Sequence, residues 1–428
     1  MKRVLHILMF AVLTAGCVLN EDIYIDLDSL DTSDLSMFQP TTRGIVDLSK
    51  GLPDETTLPD GTSVNGFIEN DLAQTKATGC TINDFIQSFM KWQQKRKVIE
   101  ICGVYRSTDE YGRPITLSGK IIIPADGAIK RVILVSHYTM GSNRECPSSS
   151  FPMEGQLAQL GYAVVVPDYI GYGITRHLYH PYLMMELTAR NVLDMYLAAC
   201  PFFKAIGREP ENPDIYLMGY SQGGAVSMAT EYLIERDHGK GSAHPIDIKR
   251  VFAGGGIYDI KATFESYIES NTASYPCGVP FVIVGMVKGH HMSDDLIDKL
   301  LLPEIREHVE EWFLEKNTSS GMMNHIIGSS HTDDILAPRA FDRTSAEISL
   351  LYQVMTENSI LSFAWHPEAP VYMMHSIEDD TVPFAIAAKA KARWAGSNIQ
   401  YNFGYYGNHQ LCCMRFVYTV KTILEDEE

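Results

Sequence analysis

Residues 213–237 read PDIYLMGYSQGGAVSMATEYLIERD and change character at their middle. Up to Gly219 the apolar residues form the short unbroken run of a strand buried on both faces, and from Gln222 onward they recur at helical spacing. Ser221 stands alone at the change, between glycines. A strand that becomes a helix within two residues brings backbones into close approach, which glycine permits, and it holds the serine out at the corner. The hydroxyl then faces the N-terminal end of a helix, where free amides and the helix dipole favour developing negative charge. Gly219-Tyr220-Ser221-Gln222-Gly223 is therefore read as a nucleophile elbow, G-x-S-x-G, in preference to a glycine-rich turn that only closes a strand.

The flanks agree with that setting. VIEICGVYRS from Val98 and ITLSGKIIIP from Ile115 are separated by the turn-forming TDEYGRP and predict an antiparallel pair opening a sheet. RVILVSH from Arg131 and YAVVVPD from Tyr162 are continuous apolar runs, as in strands covered by helices on both faces. LMMELTARNVLDMYLAAC from Leu183 predicts a helix, and RVFAGGGIYDI from Arg250 a strand. Further along, APVYMMHS from Ala369 and NIQYNFGYY from Asn398 predict strands, with helices near 384–394 and 410–424. Such alternation implies an α/β fold with a mostly parallel, doubly wound sheet, whose right-handed crossovers gather the strand C-terminal ends along one edge.

A serine nucleophile needs a base, and the base an orienting acid. The acid is sought after a later strand and the base after the next one. APVYMMHSIEDDTVPF offers Glu378, Asp379 and Asp380 side by side, one as the acid and the others as solvated loop charges; NIQYNFGYYGNHQ offers His409 between the last strand and the C-terminal helix. The adjacent His290 and His291 are read as loop residues, because neighbours in sequence do not easily face one ion.

These stretches resemble the α/β-hydrolase superfamily over residues 98–424. H-S-I-E-D-D-T-V-P at 375–383 is similar to its H-G-x-x-D-x-x-V-P element, which implies Asp379 as the acid. Ser221, Asp379 and His409 then stand in the chain order of that family. VILVSHYTMGSNRE from Val132 resembles the H-G-type turn that supplies an oxyanion-hole amide, with His137 bracing the turn. The second donor beside the amide of Gln222 is Tyr138 or Thr139. GYAVVVPDYIGYG resembles a further family stretch, in which Asp168 is a structural turn residue. The elbow GYSQGG, the PDYIGYG turn and a long insertion before the acid look most like the secretory-lipase-like branch. The resemblance implies acyl transfer through an acyl-enzyme, acting on a small ester, a lipid or an acylated glycan, with no metal and no organic cofactor. A peptidase of the same superfamily and a lipid-anchored binding protein with a degenerate site are the alternatives.

The resulting organisation is a signal peptide over 1–16, a tether and lead-in over 17–80, a hydrolase core over 81–259 and 369–428, and a helical cap insertion over 260–368. The lead-in is polar, acidic and proline-bearing, so order is expected to begin near Thr81, at the helix-spaced TINDFIQSFMKWQQK. The insertion contains SDDLIDKLLLPEIREHVEEWFLEK and RTSAEISLLYQVMTEN, both helix-like. Phe281, Trp312, Phe313, Met322 and Met323 either pack the cap or line an acyl pocket.

MKRVLHILMFAVLTAGCVLN has the basic start, apolar stretch and small residues of a secretory signal. It also resembles the lipobox of bacterial lipoproteins, which implies lipidation of Cys17 and anchorage in the bacterial cell envelope; ordinary cleavage to a soluble secreted form is the alternative. Seven cysteines remain after Cys17, an odd number that cannot all pair within one chain. Cys412 and Cys413 read as small buried helix residues. The 53 acidic against 35 basic residues, a formal charge of -18, oppose a nucleic-acid-binding face. Oligomeric state is left open.

Overall fold

A computed structural model describes residues 36–69 and 96–427, together with positions 85, 88, 89, 91 and 92. The signal peptide, Cys17 and most of the helix expected from Thr81 lie outside the described residues.

Nine strands form one sheet: β1 (Gln39–Asp47), β2 (Lys97–Thr108), β3 (Pro114–Pro124), β4 (Val132–Ser136), β5 (Ala163–Pro167), β6 (Ile215–Tyr220), β7 (Ile248–Gly254), β8 (Val371–Ser376) and β9 (Ile399–Gly404). Their order is β1-β2-β3-β5-β4-β6-β7-β8-β9. The first three pair antiparallel with their neighbours, and β5 through β9 run parallel. The central strands β4, β5 and β6 are buried at every residue, as their unbroken apolar runs require.

Period-two alternation divides the interior into two layers. Leu134, Leu217, Val251 and Met373 face one core, shared with helices α1 (Met185–Ala205) and α2 (Gln222–His238). Ile133, Val135, Met218 and Phe252 face the other, shared with the 3₁₀ segment Met153–Leu160 and the last helix of the chain. Cys412 and Cys413 are buried in that second core as unbonded thiols.

The lead-in expectation needs correction for the part described. Gln39–Asp47 pairs antiparallel with β2 from Gln39↔Val104 to Asp47↔Lys97. QPTTRGIVD buries only Gln39 and Gly44, so it has no apolar run to announce it; an edge strand is held by its backbone ladder to one neighbour. Phe38 anchors its start, with its ring 5.4 Å from that of Phe202, and Leu48, Leu52, Leu58 and Val64 enter the second core.

Between β7 and β8 every regular element is helical, including α3 (Ile260–Ser270), α4 (Gly278–Gly289), α5 (Ser320–Ile327) and α6 (Ala346–Asn358). Side-chain caps start three of them: Asp259 accepts from the Ala262 amide, Ser319 from Met322 and Ser345 from Ile348. After β8 come α7 (Phe384–Arg393) and, beyond β9, α8 (His409–Asp426). Among the described residues no helix is long and apolar enough to cross a membrane.

Candidate active site

The corner after β6 is built as its glycines imply. A Cβ at Gly219 would lie 2.1 Å from the Gly223 carbonyl oxygen, and one at Gly223 would lie 1.9 Å from that of Ser136. Both partners are backbone and cannot swing aside, so the strand, the turn and β4 meet at this distance only without side chains. Ser221 caps α2 with φ 56° and ψ -122°, a backbone conformation that costs any residue bearing a Cβ. Its amide donates to the Gly254 carbonyl at 2.9 Å, tying the elbow to the end of β7. Gln222 opens α2, so its amide is among those that have no acceptor within the helix.

The turn after β8 holds Asp379. Its Oδ1 accepts from the amides of Thr381 at 3.0 Å and Val382 at 2.7 Å, which fixes the carboxylate and leaves Oδ2 to meet His409 Nδ1 at 2.7 Å. Burial works against the charge of Asp379, yet His409, His375 and the Val382 amide outweigh it and hold the carboxyl below the usual carboxylate range. Asp380 is exposed and touches His409 only at its amide, 3.2 Å away, while Glu378 accepts from the Gly407 amide. Of the three acids, Asp379 alone bonds the imidazole.

His409 is the first residue of α8, which Asn408 caps by accepting from the Leu411 amide. With Nδ1 committed to Asp379, Nε2 has no partner among the described residues. Tyr220, the residue before the serine, donates to the His409 carbonyl at 2.8 Å and lays its ring 4.9 Å from the imidazole. Ser221 and His409 line one cavity, about 500 Å3 including its opening to solvent, and half of its other lining residues come from the helical insertion.

Thr139 also lines this cavity, and its hydroxyl meets that of Tyr182 at 2.7 Å. Tyr138 turns its side chain to the opposite face of the sheet and donates to the Thr57 carbonyl. His137 is fully enclosed, bonded to the Tyr138 carbonyl at 2.6 Å and stacked 3.7 Å from Tyr169, and burial lowers its pKa to about 4. Asp168 accepts from the Ser118 hydroxyl at 2.6 Å and the Ser148 amide at 2.8 Å, the contacts of a turn residue. His290 meets Asn358 at 2.7 Å whereas His291 meets Glu110 at 3.1 Å, so the pair does not converge. None of Phe281, Trp312, Phe313, Met322 or Met323 lines the cavity: Phe281 packs against Tyr182 and Phe313, Trp312 and Met323 are buried, and Met322 is half exposed. Among the described residues no group of three or more His, Cys, Asp or Glu has metal-site geometry.

One contact escaped the sequence reading. His180, from the loop after β5, donates through Nδ1 to the Ile170 carbonyl at 2.8 Å, and its Nε2 lies 3.1 Å from Gln222 Nε2. Burial lowers its pKa to about 3, so the ring is neutral, Nδ1 carries the proton to Ile170, and Nε2 accepts from the amide of Gln222. It clamps the residue next to the serine. Nothing in LYHPY marks this histidine, because its partner lies forty-two positions away in sequence.

The sheet order and the strand-to-helix elbow at Ser221 define an α/β-hydrolase. The chain belongs to the secretory lipase family, whose model matches residues 152–411. It is 25% identical over 241 residues to a secreted triacylglycerol lipase of Malassezia furfur, a match spanning 55% of this chain and 56% of that protein. A ligand-bound form of the rice cell wall degrading esterase LipA from Xanthomonas oryzae superposes with a TM-score of 0.68 at 22% identity, covering 92% of this chain and 99% of that one. Candida antarctica lipase A superposes with a TM-score of 0.55 at 16% identity, covering 73% of each chain.

Proposed function

We propose that this protein is a serine carboxylic ester hydrolase in which Ser221 is the nucleophile, His409 the general base and Asp379 the acid that orients it. The observation that carries the reading is the 2.7 Å bond from His409 Nδ1 to a buried, ionised Asp379, with the free Nε2 edge and Ser221 in one cavity. That bond leaves Nε2 of the neutral ring unprotonated, which is the state a base requires.

Ser221 Oγ attacks the ester carbonyl while its proton passes to His409 Nε2. The oxyanion lies against the amides of Gln222 and Thr139, and Thr139 is preferred to Tyr138 because it borders the cavity. Collapse breaks the bond to the alcohol oxygen, which takes the proton from His409 and leaves as the alcohol. Water, deprotonated by His409, then attacks the acyl-enzyme and restores Ser221. Apolar Ile257, Ile260, Phe264 and Val282 provide the wall for the acyl chain. The relatives' acylglycerol and cell-wall activities support esters as the substrate class.

Labelling with a fluorophosphonate, with Ser221→Ala beside the wild type, tests the reading, followed by nitrophenyl esters from acetate to palmitate and aminoacyl anilides. Label on Ser221 with ester turnover is expected. Labelling that survives Ser221→Ala, or anilides cleaved in preference to esters, overturns it.

The N-terminal signal supports export, and Cys17 at the end of its small-residue segment supports a lipid anchor in the cell envelope. Cys17→Ser should abolish incorporation of labelled palmitate and release the protein from the membrane fraction; unchanged partitioning would remove the anchor from the reading.

A further inference from the structure

The segment 176–182, between β5 and α1, reaches both residues whose amides are read as oxyanion donors. His180 Nε2 accepts from the Gln222 side chain at 3.1 Å, and the Tyr182 hydroxyl meets that of Thr139 at 2.7 Å. The two residues differ in what else holds them. Gln222 opens a helix, whose backbone sets the direction of its amide. Thr139 lies past the end of β4 in a stretch with neither strand nor helix, and Tyr182 is the one hydrogen-bond partner of its side chain among the described residues. Of the two hydroxyls the phenol is the stronger acid, so Tyr182 donates and the Thr139 oxygen accepts. Tyr182 is itself gripped by the helical insertion. The ring of Phe281 in α4 packs 5.4 Å from its ring, and Gly285, one turn further along, approaches so closely that a Cβ there would stand 2.4 Å from the Tyr182 Cβ and 2.8 Å from its amide nitrogen. Lys316, 1% exposed, ties down the same segment by donating from Nζ to the Leu178 carbonyl at 2.7 Å.

We propose that Tyr182 is a positioning residue for the oxyanion hole: its hydroxyl fixes the side chain of Thr139, and so aims the amide of the turn at the oxyanion before the ester arrives. The inference rests on the reading of Ser221 as nucleophile and of Thr139 as an oxyanion residue. A donor aimed in advance stabilises the developing charge with no reorganisation at the moment of reaction, whereas a donor displaced by about 1 Å loses up to about a hundredfold in rate. A turn without regular backbone bonds is free to rotate its peptide units unless a side chain is anchored. Tyr182 supplies that anchor, and Phe281 and Gly285 keep the anchor still, so the insertion acts on the rate as well as walling the cavity.

The test compares kcat and KM for 4-nitrophenyl butyrate and its thiono analogue, in which sulfur replaces the carbonyl oxygen; sulfur is a weak acceptor, so the thiono ester draws little on oxyanion donors and reports the rest of the site. Tyr182→Phe keeps the packing and removes one oxygen. It should lower kcat on the oxo ester by about ten- to a hundredfold, leave KM within about twofold, and lower kcat on the thiono ester far less. Thr139→Val, which keeps the amide and removes the acceptor, should lose a similar factor, and the double variant no more than either single one. Equal losses on both esters, a raised KM with kcat unchanged, additive losses in the double variant, or wild-type kinetics in Tyr182→Phe each overturn the proposal. A loss in Thr139→Val well above that in Tyr182→Phe also overturns it, since the Thr139 hydroxyl is then a donor in its own right. Absence of turnover with Ser221 unlabelled by fluorophosphonate takes down the catalytic reading and this one with it, whereas wild-type kinetics in Tyr182→Phe with Ser221 labelled take down this one alone.

Discussion

Replacing Ser221 by glycine should remove activity and make the protein more stable than replacing it by alanine. The elbow holds this residue at φ 56° and ψ -122°. Strain of this kind costs about 1–3 kcal/mol at one residue, because a Cβ crowds its own backbone. Ser221→Ala deletes the hydroxyl and keeps the Cβ, so the strain remains; Ser221→Gly deletes both. Glycine also frees the unfolded chain, which offsets about 0.5–1 kcal/mol of the gain. The glycine variant should therefore exceed the alanine variant by about 1 kcal/mol, which for a chain of this length raises the melting temperature by about 1–2 °C. Matched urea unfolding curves resolve such a difference better than melts, since slope and midpoint separate a stability change from a change in compactness. Both variants should lose turnover by about 10⁶. An alanine variant as stable as the glycine variant would falsify the argument that the corner is strained to hold the serine out.

Asp379→Asn should reduce kcat by about 10⁴ by releasing the imidazole from its tautomer and orientation, whereas Asp380→Asn, at a residue that touches His409 only at its amide, should stay within about tenfold of wild type; steady-state kinetics on one nitrophenyl ester decide between them. Glu231 lies fully buried in α2, and burial followed by the neighbouring Glu235 raises its pKa well above the ordinary glutamate value. An acid whose folded pKa is raised binds more protons folded than unfolded. Stability then falls as pH rises from the unfolded value, about 4.5, toward the folded one. Glu231→Gln should flatten the decline in melting temperature between about pH 5 and about pH 8 and leave the variant the more stable at the upper end; parallel curves would show that Glu231 does not carry the dependence.

What the chain states locally was legible in the sequence. Strands β4 to β9 and the long helices follow from apolar period and run length, and the elbow from two glycines flanking a serine. Edge strand β1 was not legible, because its residues bury almost nothing and its pairing is a property of β2. The clamp from His180 on Gln222 was equally silent, as was the bond from Tyr182 to Thr139. Neither has a local pattern, since each depends on which distant groups reach it.

The sequence by itself determined a doubly wound sheet, a serine on a strand-to-helix corner, and a histidine and a small set of acids on the loops that the parallel strands bring to the same edge. Only the tertiary structure showed which of the acids meets the imidazole and which of Tyr138 and Thr139 borders the cavity. Asp379, not its neighbours, bonds the His409 imidazole, and Thr139, not Tyr138, lines the cavity. The physical reason is that a turn residue's direction is set by its own amide bonds and by what packs behind it. For Asp379 these are the amides of Thr381 and Val382, and for Tyr138 the carbonyl of Thr57. Periodicity fixes where a side chain sits along the chain; the company it keeps is decided by the fold.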